Sequence, residues 1–156
     1  MENIVIRKAT ISDLDLVQKL TQEMLVSDTE NDPDLISSWA LGDEAKDYLI
    51  GLLARKEGAC FIAEIQDKPV GFVIGEYKTI QKFRPVKRSE LESILVDKNY
   101  RGKGIGEKLL EEFTKWSKSM GMERIVLSVV HDNSNAVNFY EKRQFKSIRL
   151  ILEKDI

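Results

Sequence analysis

Seven residues, Tyr100-Arg101-Gly102-Lys103-Gly104-Ile105-Gly106, constrain this chain more than any others. They lie between an apolar run ending at Val96 and a helical stripe of Ile105, Leu109, Phe113, Trp116 and Met120, so they form a glycine-rich turn from strand to helix. Such a turn exposes unpaired backbone N–H groups at the positive end of a helix dipole, and its glycines let an anion approach the backbone. Arg101 and Lys103 add positive charge at the same place. A phosphate-bearing ligand fits this chemistry; the plainer alternative is a turn that binds nothing. The spacing is neither the G-x-G-x-x-G of dinucleotide folds nor the G-x-x-x-x-G-K-S/T of P-loops.

Composition narrows the rest. The 156 residues suit one domain spanning 1–156, and 24 Lys plus Arg against 26 Asp plus Glu leave a net charge of −2. That balance excludes the basic footprint of a dedicated nucleic-acid binder and gives no pull toward membrane surfaces. The single Cys60 cannot form an intrachain disulfide, which points to a reducing cytoplasm. The start of the chain shows neither a signal peptide nor a lipidation motif, and no stretch approaches the ~20 apolar residues of a membrane span. One His and one Cys leave a structural zinc site without its usual ligands, so no metal is expected.

The elements alternate in type. Ile4 to Lys8 reads as a short strand, and Ser12 with Asp15 as a cap for a helix through Leu16, Val17, Leu20 and Met24 that ends near Val26. Asp28 to Asp34 is an acidic loop, and Ala45, Tyr48, Leu49, Leu52 and Leu53 make the apolar stripe of a second helix. Ala59 to Ile65 and Val70 to Tyr77 form a hairpin around Gln66-Asp67-Lys68-Pro69, followed by a basic connection and a fourth strand from about Glu90 to Val96. After the long helix come a strand at Ile125 to Val130, a helix at Asn133 to Lys142 and a last strand at Phe145 to Leu152.

Two segments carry a family resemblance. Ile94 to Gly106 resembles the acetyl-CoA motif of the GNAT superfamily of N-acetyltransferases, with its core Arg/Gln-x-x-Gly-x-Gly/Ala matched at Arg101, Gly104 and Gly106. Asn133 to Phe145 is similar to the family's later Asn-x-x-Ala-x-x-x-Tyr-Glu-Lys-x-Gly-Phe signature, departing from it at Gln144, where Gly is usual. Ile6-Arg7-Lys8-Ala9 with Asp13 resembles the family's first strand and helix start. The resemblance implies an α/β fold (α+β mixed): a central mixed, mostly antiparallel sheet with helices on both faces, splayed between strands four and five. Acetyl-CoA would be the co-substrate. Its phosphates would lie on Arg101, Gly102, Lys103, Gly104, Ile105 and Gly106, and its pantetheine arm in the splay along Ile94, Leu95 and Val96, with Asn133 touching the arm.

Acetyl transfer to an amine needs a base, because an alkyl ammonium of pKa ~10.4 is mostly protonated near neutral pH. Strand alternation places Glu92 on the face of Ile94 and Val96, where burial would raise its pKa and improve it as a base; pairing with Arg88 or Arg84 is the structural alternative. By resemblance, Tyr140 would lie near the CoA sulfur and protonate the departing thiolate, and a backbone N–H at a strand-four bulge near Val96 would meet the carbonyl oxygen. His131 reads as a surface residue and Cys60 as an inert core residue. The acidic run Asp28, Glu30, Asp32, Asp34 would attract a cationic acceptor and the basic Lys82 to Arg88 connection an anionic one, so the acceptor is open. The expected activity is acetyl transfer to a primary amine in a ternary complex, the acceptor being a small-molecule amine or a peptide. The alternatives are a protein N-terminal or lysine acetyltransferase, and a non-catalytic acyl-CoA sensor. A homodimer is open too, since nothing in the surface pattern marks a dimer face.

Overall fold

A computed structural model describes residues 3–156. Five strands form one sheet in the order β1 (Ile4–Lys8), β2 (Gly58–Ile65), β3 (Lys68–Lys78), β4 (Arg88–Val96) and β5 (Arg124–Val126). The first three pairings are antiparallel and β4 with β5 is parallel. Helices α1 (Leu14–Asp28) and α2 (Asp43–Ala54) connect β1 to β2, α3 (Ile105–Ser119) connects β4 to β5, and α4 (Ser134–Glu141) follows.

Alternation along the central strands builds two cores. Ala59, Phe61 and Ala63 of β2 and Val73 of β3 bury against Ile105, Leu109 and Phe113 of α3, while Cys60, Ile62, Phe72 and Ile74 bury against Val17 and Leu20 of α1 and Leu49 and Leu52 of α2. Each fully buried side chain of this kind contributes about 1.5–3 kcal/mol. Strands apolar on both faces can only be central, with helices on both sides.

Some local expectations change. The helix start is organised by Thr10 and Asp13 rather than Ser12 and Asp15: the Asp13 carboxylate accepts the Thr10 N–H at 2.8 Å and both Arg7 guanidinium ends at 2.8 and 3.0 Å. Because Arg7 also donates to Glu64 at 2.9 Å, one cation ties β1, β2 and the start of α1 together. The hairpin loop is two residues, not four: Gln66 and Asp67 both have positive φ, the twist that matches a two-residue turn to its strands, and Lys68 and Pro69 belong to β3.

The end of the chain departs furthest from the sequence pattern. β5 stops at Val126, and the expected last strand at Phe145 to Leu152 does not form; Ile148 and Leu152 are 73% and 84% exposed. A strand needs a ladder partner, and the short β5 at the edge of the sheet offers little length to pair with.

Candidate active site

The glycine-rich turn has the conformation its composition demands. Gly102 and Gly104 both sit at φ +77°, where glycine is at ease, and open space surrounds the position a side chain would take at either. Gly104 is the N-cap of α3 and brings no side-chain acceptor, so N–H groups in the first turn of the helix lack an intrahelical partner. Arg101 closes the turn by donating from Nε to the Val96 carbonyl at 3.0 Å, and the Lys68 and Lys103 ammonium groups lie over the Tyr100 ring at 5.6 and 5.1 Å from its centroid. Open backbone donors with cations alongside fit a diphosphate. Ile105 serves differently from its neighbours: its side chain is 1% exposed and anchors α3 in the core, leaving only its backbone to a ligand.

Beyond this turn the sheet opens. β5 pairs with β4 only along Arg88, Ser89 and Glu90, so the edge of β4 from Leu91 to Val96 has no strand beside it on that side. This is the expected splay. Ile94 and Val96 point toward the α3 core, whereas Leu95 packs on the α1/α2 side, so the three share an open backbone edge but not a face. At the mouth, a Cβ on Gly106 would lie 3.3 Å from Phe139 of α4 and 3.7 Å from Val96, which brings β4, α3 and α4 together. Asn133 caps α4, its Oδ1 accepting the Ala136 N–H at 3.1 Å.

Glu92 lies elsewhere than strand alternation predicts. In the β3–β4 ladder Ile74 faces Ser93 and Gly75 faces Leu91, so Glu92 is the extra residue of a bulge. The bulge reverses the alternation: Leu91 joins Ile94 and Val96 in the α3 core, and Glu92 turns to the α1/α2 face. The bulge therefore sits four residues before Val96, not beside it. There the carboxylate accepts a hydrogen bond from the Tyr48 hydroxyl of α2, rather than an ion pair from Arg88 or Arg84. Solvent still reaches the side chain, yet the protein around it removes enough water to push its pKa up; Glu76 and Glu90 act in the same direction, and the Tyr48 hydrogen bond and Lys78 oppose them.

Tyr140 is 8% exposed, held edge-on between Phe139 and Phe145 at ring-centroid distances of 5.2 and 5.4 Å. Burial, then the nearby Asp28 charge, pushes its phenol up to about 12. Asp28, the first residue of the acidic run, is thus felt at Tyr140. Burial likewise pushes the Cys60 thiol up to about 12, which keeps it an inert core group. His131 is exposed beside Asp132. Among the described residues no three His, Cys, Asp or Glu side chains converge as a metal site, and no helix is long and apolar enough to cross a membrane.

Two residues of this region escape a reading of the sequence. Tyr48 reads as one more member of the α2 apolar stripe; what sets it apart is a hydroxyl that a half-buried position must satisfy. Phe139 has no role assigned to it in the Asn133 to Phe145 signature, and only the tertiary contact shows it closing on Gly106.

Residues 20–145 match the model of the Acetyltransferase (GNAT) family. The chain belongs to that family. It is 31% identical over 107 residues to an uncharacterized N-acetyltransferase of Methanocaldococcus jannaschii, a stretch that covers 69% of this chain and only 47% of that protein, so the chain spans about half the length of that relative. It is 29% identical over 152 residues to an N-alpha-acetyltransferase of Sulfurisphaera tokodaii, covering 94% of this chain and 82% of that one. An aminoglycoside N-acetyltransferase solved in complex with CoA superposes with a TM-score of 0.76 at 16% identity, over 99% of this chain and 96% of that one, a likeness of fold.

Proposed function

We propose that the chain, as one domain over 1–156, transfers the acetyl group of acetyl-CoA to a primary amine by direct attack in a ternary complex. The observation that carries this reading is the β4 bulge, which turns a carboxylate of raised pKa out of the strand ladder beside the open edge that runs to the glycine-rich turn. The N–H groups and cations at 101–106 would hold the donor's phosphates, and the open edge at Ile94 to Val96, with Asn133, its pantetheine arm. The crystallised CoA complex of the structural neighbour supports this choice of donor.

The donor supplies a thioester; the chain supplies proton transfers and charge. Glu92 takes a proton from the acceptor ammonium, directly or through a water, and its raised pKa makes it a better base than an ordinary carboxylate. The freed amine forms its bond to the thioester carbon, with backbone N–H groups on the open β4 edge facing the charge that develops on oxygen. As the carbon–sulfur bond breaks, Tyr140 gives its proton to the leaving thiolate, and the second proton shed by the attacking nitrogen returns the phenol to its neutral form through solvent. A phenol titrating at about 12 is fully protonated at physiological pH and so ready to donate. The name of the Sulfurisphaera relative favours one second reading, in which the acceptor is the N-terminal amine of a peptide.

The test is release of free CoA thiol from acetyl-CoA with polyamines, amino acids, aminoglycosides and short peptides. Amine-dependent release is expected, falling ~10²-fold in Tyr140→Phe with acetyl-CoA affinity little changed. Unchanged turnover in that variant removes Tyr140 from the mechanism. Tight acetyl-CoA binding with no amine-dependent release across the panel and wider peptide pools would favour a sensor module.

A further inference from the structure

We propose that Tyr48 is a positioning residue for Glu92, holding the carboxylate by its hydroxyl so that it presents its remaining lone pairs to the acceptor amine. The proposal rests on the reading of Glu92 as the base. Glu92 is the one residue of the β3–β4 ladder that the bulge leaves unpaired, so strand pairing, which fixes its neighbours, does not fix it. A long, flexible side chain at a bulge has many rotamers, and a base that is not held in place loses most of its advantage.

The groups facing it identify what holds it. On β3, Glu76 is engaged by Arg55 at 2.8 Å and Lys78 is engaged by Glu90 of β4, so these cations on the same face are already paired. From α2 the Tyr48 hydroxyl lies within hydrogen-bond reach of both carboxylate oxygens, a position that fixes the plane of the group as well as its distance. Burial and the adjacent carboxylate push the Tyr48 phenol far above its usual value, so it stays protonated and donates to Glu92 whenever that carboxylate is ionised. The platform is firm: α2 is anchored one residue on by Leu49, 2% exposed, and one turn on by Leu52, fully buried.

Tyr48 also offsets part of the rise imposed by burial, Glu76 and Glu90, since a hydrogen bond to the charged form favours that form. Without it Glu92 would stay protonated, and useless as a base, up to a higher pH.

The experiment compares wild type, Tyr48→Phe and Glu92→Gln in two measurements. In the first, side-chain ¹³C-labelled glutamate is titrated by NMR, with Glu92 assigned by its loss in Glu92→Gln. In the second, amine-dependent thiol release with the most active amine of the panel is followed against pH. Phenylalanine keeps the ring, so the fold is expected to hold, and near-equal melting temperatures check this. The Glu92 midpoint and the acid limb of kcat/KM are both expected to move up by roughly half to one pH unit in Tyr48→Phe, with kcat at neutral pH falling several-fold and the KM for acetyl-CoA unchanged. A midpoint that does not move overturns the proposal. A midpoint that moves while the acid limb stays still shows a bond without a catalytic role and overturns it as well. Full activity in Glu92→Gln would instead remove the base reading itself, whatever the titration shows.

Discussion

Gln144 follows α4 at φ +68°, in the left-handed region where a Cβ crowds the next carbonyl. That strain of about 1–2 kcal/mol explains why glycine is the usual residue at this place in the signature. Gln144→Gly relieves it but adds about 0.5–1 kcal/mol of chain entropy to be lost on folding, so the variant is expected to be more stable by roughly 0.5–1 kcal/mol. Urea unfolding measures this, and a loss of stability would show that the glutamine side chain makes a compensating contact. The turn and cap were legible from nearby residues alone: Gly102 and Gly104 lie in the turn before α3 and Asn133 at the start of α4, because turns and caps are set within a few residues. The surroundings of Glu92 were not legible. Its hydrogen-bond partner Tyr48 lies 44 residues earlier, and nothing in either neighbourhood announces the other.

At the scale of elements, the decisive feature is the bulge that joins β3 to β4. Gly75 faces Leu91 beside it, and a Cβ there would lie 2.1 Å from the Glu90 carbonyl oxygen and 2.7 Å from the Phe113 ring. Neither the ladder backbone nor the α3 core can yield that much. Gly75→Ala is therefore expected to destabilise the protein by about 3 kcal/mol or more, read as a drop in the urea midpoint, and to lower amine-dependent turnover by displacing Glu92. A variant as stable and active as wild type would mean that the strands part there at little cost. Strand periodicity places residues correctly up to such an insertion and inverts them beyond it, which is why Ile94 and Val96 keep their expected face while Glu92 and Leu91 exchange sides. The end of the chain follows the same logic, since an apolar run at Ile148, Leu150, Ile151 and Leu152 becomes a strand only when a ladder is available.

Across the whole molecule, the proposed donor site spans β4, α3 and α4, and Gly106 is the point where they meet. A ligand that binds only this folded arrangement stabilises it by mass action, about 2.7 kcal/mol at a concentration a hundred times its Kd. For a chain of this size that corresponds to a rise in melting temperature of roughly 5–10 °C. Acetyl-CoA is expected to produce such a rise in the wild type and none in Gly104→Asp, where a side chain in a left-handed position and a negative charge would occupy the phosphate site. An equal rise in both, measured by calorimetry, would place the donor elsewhere. What the sequence determined by itself is the order of elements as far as α4 and the conformation of the glycine-rich turn, because periodicity, glycine conformation and helix capping are local properties of the chain. What only the tertiary structure decided is which face Glu92 occupies, that Tyr48 holds it, and that the final apolar segment stays out of the sheet. Those depend on strand register and on contacts between distant residues, which no local pattern encodes.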